Sequence, residues 1–332
     1  MSPQCRPHNR FRCCGARAPA WHYLPISIFI FLLAIITTLP CNAQLRDPIL
    51  RPDTSNCTIP FNLVGKLIII QATADTSSGN FILDTGAPGL VLNNTYFRRY
   101  PVTVQHNSSR SDVNGTGGQQ ETTVVPHFQL GTMHYYRMDA DMVSLGHIER
   151  ARGLKIMGLV GVAFFKECEM TIDYVNNLIH LRHITKKEAK TYQNPVLNGT
   201  SRYAAYPIEL KSNRILLKMH IGKRDLRFAI DLAAETSILD SRLPDKVLDS
   251  VTIEGRILLT GTGTRQVEAL SGQLSGLQLG NIKLPLLPVI ITHLEYTCFG
   301  GMDCINGVLG YDFLSRNTIV INFRKRILYI LK

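Results

Sequence analysis

Two short segments of this chain carry the residues best suited to chemistry. Phe81-Ile82-Leu83-Asp84-Thr85-Gly86-Ala87 and Phe228-Ala229-Ile230-Asp231-Leu232-Ala233-Ala234 lie 147 residues apart. Each brings one aspartate out of an apolar run into a turn of small residues. A carboxylate at the end of a buried strand is costly unless a site uses it. Two such carboxylates in a duplicated frame are expected to meet, and paired carboxylates are equipment for general acid–base work.

The elements that must position them are duplicated as well. Pro60 lies 24 residues before Asp84 and Pro207 lies 24 before Asp231, with Leu67-Ile68-Ile69-Ile70 and Ile215-Leu216-Leu217 at corresponding places. Gln129-Leu130-Gly131 and Gln278-Leu279-Gly280 follow, then Leu159-Val160-Gly161 and Val308-Leu309-Gly310, with a drift of two residues. The halves then run without a gap through Thr171-Ile172-Asp173-Tyr174 and Val320-Ile321-Asn322-Phe323. These landmarks indicate an internal repeat of about 125 residues.

Short apolar runs at close spacing, punctuated by Gly, Asn and Ser, predict an all-β chain. The halves are read as 59–182 and 203–332. Between them, 183–202 holds Lys186, Lys187, Glu188 and Lys190, then Asn194-Pro195 and Asn198-Gly199, and reads as a linker with one helical turn at its start. Asn114-Gly115-Thr116-Gly117-Gly118 and Thr260-Gly261-Thr262-Gly263-Thr264 precede the Gln-Leu-Gly landmarks. Such glycines suit an ordinary hairpin turn or a flap that closes over a substrate. Their matched positions favour the flap, with Gly117, Gly118 and Gly263 as substrate-binding residues.

The 332 residues suffice for two domains with real cores, and their formal charge is +11. Residues 1–43 are set apart. Arg6, Arg10, Arg12 and Arg17 form an acid-free basic leader before an apolar stretch from Ile26 to Ile36, and Cys41-Asn42-Ala43 reads as a small-residue cleavage site. The expectation is export to a periplasm, a cell envelope or the medium, with an uncleaved or lipidated anchor as the alternative that would bring a membrane into contact. Five Asn-x-Ser/Thr sequons, at Asn56, Asn93, Asn107, Asn114 and Asn198, would matter only in a eukaryotic secretory pathway.

Past the leader stand Cys57, Cys168, Cys298 and Cys304, an even number suited to an oxidising compartment. Cys298 and Cys304 are near enough in sequence to close a small disulfide loop. Cys57 and Cys168 are either the second pair or two buried thiols. The positive charge has no interleaved aromatics, which argues against nucleic acid as a partner.

Asp84-Thr85-Gly86-Ala87 after an apolar strand, with Leu159-Val160 before Gly161, resembles the aspartic peptidases of the retropepsin and pepsin type. The second half resembles the same domain. The chain thus looks like two tandem acid-protease (retropepsin-like) β-barrel lobes with a cleft between them, similar to exported bacterial predicted aspartyl proteases. The resemblance covers nearly all of 59–332 and implies an aspartic endopeptidase acting on peptide or protein substrates, with no metal or cofactor. It implies that Asp84 and Asp231 are catalytic, share a proton and activate a water between them. Thr85 would grip the opposite turn, Gly86 would allow close approach, and Gly161 and Gly310 would pass behind and support the two loops. Ala87 belongs to the same turn.

The second turn departs from the pattern. Leu232 replaces Thr or Ser, which removes one grip bond worth about 1 kcal/mol, and Ala233 adds a Cβ where the turn calls for open backbone space. Three readings therefore stay open: an active asymmetric endopeptidase, a catalytically impaired peptide-binding protein, and a protease that pairs Asp84 in trans in a dimer. If active, Asp231, with fewer turn donors, is expected to hold the shared proton and Asp84 to act as base. Other constellations are weaker: there is no His-x-x-x-His pair, zinc-type cysteine cluster, Gly-x-Ser-x-Gly turn or phosphate loop. Asp173, Asp225, Asp240 and Asp312 read as surface, turn or cap residues.

Overall fold

Alternation and continuous apolar runs dictate most of the strands. Asn56–Val64 buries Cys57, Ile59 and Phe61 on one face and exposes the residues between them. Leu67–Ala74 begins with four consecutive buried residues, and Arg214–Ile221 repeats its burial pattern almost residue for residue. In the computed structural model, residues 47–105, 120–197, 203–260, 266–294, 298–299 and 303–331 are described. The chain is all-β, with a closed β-barrel and further strands packed around it.

The hydrogen-bond registers of the two halves match. Phe61 pairs with Ile70 as Ile208 pairs with Leu217, and Leu90 pairs with Ala140 as Ser237 pairs with Val289. Gly131 and Gly280 stand in the left-handed region, at φ 58° and 57°. Each opens a two-residue hairpin turn that returns Leu130 onto Met133 and Leu279 onto Ile282. A single sheet joins the halves in the order Asn56–Val64, Leu178–His183, Cys168–Asp173, Ile319–Asn322, Ile327–Leu331 and Tyr203–Lys211. At its centre Thr171 pairs with Val320.

The core runs through both halves. In the first, Phe81, Phe128, Phe164 and Tyr135 interlock edge to face, with centroids 5.2, 5.0 and 4.7 Å apart along the series. Behind the central sheet, buried Glu169 accepts hydrogen bonds from Tyr192, Asn194 and Asn322, so the segment after Ile184 is fastened to both halves. That segment opens with a reciprocal cap: Glu188 N–H donates to Thr185 Oγ1 and Thr185 N–H to Glu188 Oε2.

Several expectations need refinement. Cys57 and Cys168 are both buried free thiols. Strand Leu178–His183 separates their strands, and two strand spacings, about 9.5 Å, exceed the roughly 7 Å a disulfide spans. Asn93 is fully buried, its amide donating to Ile156 O and accepting from Thr95 and Leu145, so its sequon is no glycan acceptor. Asp240 is a turn residue, buried, accepting from Arg242 N–H and held by its guanidinium through both carboxylate oxygens. The leader 1–43 lies outside the described residues.

Candidate active site

Strand Ser77–Leu83 runs parallel to Gly158–Val160, which in turn lies antiparallel to Leu90–Asn93. The strand that passes behind is thus inserted between the two arms of the Asp84 turn. The second half repeats the arrangement with Arg224–Ile230, Gly307–Leu309 and Ser237–Asp240. Asp84 N–H donates to Val160 O and Asp231 N–H to Leu309 O, each at 3.0 Å, so each aspartate is fixed at its own backbone.

Gly161 and Gly310 stand where only hydrogen fits. A Cβ on Gly161 would lie 2.3 Å from Ala87 O and 2.5 Å from Gly89 O; one on Gly310 would lie 2.4 Å from Ala234 O. These carbonyls are also bound from behind, Ala87 O by Val162 N–H at 3.1 Å and Ala234 O by Tyr311 N–H at 2.8 Å. Gly161→Ala and Gly310→Ala therefore force backbone apart and are each expected to cost about 3 kcal/mol or more, read as a lower urea midpoint.

The two turns meet. Thr85 is fully buried; its Oγ1 donates to Ile230 O at 2.8 Å and accepts from Leu232 N–H at 3.0 Å, both across the halves. Leu232 offers no return grip, and its side chain instead joins the main core. Thr85→Val keeps the shape and orphans a buried donor and acceptor, so a loss of about 2–4 kcal/mol is expected with an unchanged denaturant slope.

Gly86 N–H and Ala87 N–H donate to Asp84 Oδ1 at 2.8 and 3.0 Å, and Ala233 N–H donates to Asp231 Oδ1 at 2.8 Å. The carboxyl groups of Asp84 and Asp231 approach each other across Gly86. Neither residue is closed off from solvent. A Cβ on Gly86 would fall 2.5 Å from Asp231 Oδ2 and 3.0 Å from Asp84 Oδ1, so this glycine is required by close approach. Neither Gly86 nor Ala233 has positive φ. The methyl of Ala233 packs against the apolar cluster of Leu67, Ile82 and Ala87, which removes the expected strain at that position.

Desolvation, then the charge of Asp231, push Asp84 up to about 8. Burial also raises Asp231, but the amides of Ala233, Gly86 and Ala234 and the Asp84 carboxyl stabilise its anion. Two carboxyls this close do not both ionise, so the pair holds one proton between them. Asp84 accepts two turn amides and Asp231 one, and Gly-to-Ala exchange leaves the Ala233 amide in place.

Residues 70–164 match the family model for aspartyl proteases. The match begins in strand Leu67–Ala74 and ends just past Gly161, so it contains one complete turn with its supporting strand. No curated protein matches the chain in sequence. Among solved structures, the chain is similar to conglutin gamma, a basic 7S globulin from lupine seeds, at 10% identity, over 85% of this chain and 95% of that one, with a TM-score of 0.45.

Of the expected site residues, Asp84, Thr85, Gly86 and Ala87 come together with Asp231, Leu232 and Ala233, backed by Gly161 and Gly310. Gly117, Gly118 and Gly263 lie outside the described residues. Among the ion pairs between the halves that motif reading missed, two involve residues close to the turns in sequence. Arg152 pairs with Glu235, which follows the Asp231 turn. Lys66 pairs with Asp312 at 2.7 Å. Neither carries a local signal, because each joins a hairpin or helix of one half to a turn of the other. Ser237 was also missed; it is fully buried, and its Oγ accepts from Gly310 N–H at 3.1 Å.

Proposed function

We propose that this chain is an aspartic endopeptidase that hydrolyses peptide bonds in peptide or protein substrates, with Asp84 and Asp231 as an intramolecular dyad. The approach of the two carboxyl groups at one half-open place carries the reading: so close a pair shares one proton, one member neutral and the other anionic. The anionic member takes a proton from a water held between the pair, while the protonated member donates to the scissile carbonyl. The oxygen of that water forms the new C–O bond, and the proton taken from it then passes to the leaving amine as the C–N bond breaks. The Thr85 bonds to Ile230 and Leu232 favour this dyad over one formed in trans, since they lock the two turns of a single chain together.

The halves 59–182 and 203–332 are assigned as tandem retropepsin-like lobes on their matched registers, with 183–202 as linker. Export after removal of 1–43, and a disulfide between Cys298 and Cys304, which face each other in a two-stranded ribbon, belong to the same reading.

Incubating the purified protein with a mixed peptide library from acid to neutral pH tests it. Cleavage is expected with the dyad singly protonated and is lost as pH rises through about 8, where Asp84 ionises. A folded protein that cleaves nothing at any pH would leave a peptide-binding protein. Stability follows the same proton. The folded state keeps it above the unfolded value of 3.8, so the native state binds more protons than the unfolded one between about 4 and about 8. Stability therefore falls as pH rises across that window, and the slope of Tm against pH should flatten in Asp84→Asn.

A further inference from the structure

The outer end of the second half holds an apolar cavity of about 390 Å3, bounded by Ala204, Tyr206, Leu284, Phe313, Ile319 and Ile330. The first half has the same framework with the matching place filled by side chains. Leu181 pairs with Cys57 as Ile330 pairs with Ala204, and Gln129 pairs with His134 as Gln278 pairs with Lys283. These registers equate Ala204 with Cys57 and Leu284 with Tyr135. Cys57, Tyr135 and Phe164 are all buried, and the Tyr135 ring fills the centre against Phe164. The void is therefore a consequence of which side chains the second half carries. Leu284 lacks the ring and Ala204 is smaller than cysteine.

The covering strand differs too. In the first half Ile49–Pro52 pairs along Met133–Tyr136. In the second, the corresponding residues Ile282 and Lys283 pair with Gln278 and Leu279 on their other side. Ile282 is 41% and Leu286 59% exposed, so the wall stays open among the described residues. A peptide strand is a poor occupant. Pro285 stands where Tyr136 pairs with Ile49, and proline removes an N–H from that edge. A chain that needs no backbone hydrogen bonds fits better.

The rim supplies one charge. Arg316 lines the cavity, and its guanidinium donates to the carbonyls of Asp312 and Leu286, each at 2.7 Å. The carboxylate that could neutralise it, on Asp312, is turned onto Lys66. No Asp or Glu lines the cavity. A pocket of this size with apolar walls and one cation at its mouth selects an apolar body with an anionic head.

We propose that this cavity binds an unbranched aliphatic carboxylate, its chain between Leu284, Phe313 and Ile330 and its head on Arg316. The site shares no residue with the Asp84–Asp231 dyad and is independent of the reaction proposed above. Calorimetric titration of the full protein with decanoate, and with decanol, tests it. Saturable one-to-one decanoate binding is expected, weakened about tenfold in Arg316→Gln with decanol unaffected. Leu284→Tyr, which copies the first half, should abolish binding of both. No saturable binding to the wild type would overturn the proposal, as would equal decanoate affinity in Arg316→Gln or unchanged binding in a folded Leu284→Tyr.

Discussion

Asp84→Asn and Asp231→Asn each lose peptide cleavage by about 10³-fold or more, because each removes one member of an acid–base pair that works only as a pair. Both variants stay folded. The carboxyl groups crowd each other at a half-buried place, so a neutral amide of the same shape relieves repulsion and desolvation, and neither Tm is expected to fall near neutral pH. That contrast separates chemistry from folding. Activity lost in Asp84→Asn alone, with Asp231→Asn as active as wild type, would instead mean that Asp84 pairs with its copy in another chain. Peptide turnover measured beside thermal unfolding decides the matter.

Gly86→Ala is the second large effect. Its Cβ would arrive 2.5 Å from Oδ2 and 2.8 Å from Cγ of Asp231, far inside contact distance. The carboxylate has to move by about an ångström, and a shift of that size costs on the order of 10² in rate. Since the displaced atoms act in the chemical step, kcat should fall with little change in KM. The reciprocal change, Ala233→Gly, touches the matching position of the other turn and should leave kcat nearly intact. Its methyl packs on an apolar cluster, so the loss is in stability, about 1 kcal/mol. Steady-state kinetics of the two variants side by side tests the asymmetry of the turns.

Much of this site was legible in the primary structure. Apolar runs ending in Asp84 and Asp231, and the offsets of 147 and 149 residues, reappear as paired strands with matched registers. Gly131 and Gly280, landmarks of the repeat, both adopt positive φ at matching turns. Such features are local: period, turn chemistry and spacing along one segment specify them. The second turn was harder. Leu232 and Ala233 announce a departure, but its consequence depends on what each side chain meets. Leu232 goes into the core, and Ala233 finds the cluster around Leu67 and Ile82.

The sequence by itself determined the all-β strand pattern, the two aspartate turns and the glycines behind them, because these follow from residue type and periodicity within short windows. Only the tertiary structure decided that the two carboxyls share one proton. That depends on folding the turns together so that Asp84 and Asp231 approach across Gly86. Folding likewise decided that Cys57 and Cys168 remain thiols, since a strand lies between them. It left the space that Tyr135 fills in one half open beside Leu284 in the other. Proton sharing, thiol state and cavity are all set by neighbours distant in the chain, and pattern along a segment carries no record of them.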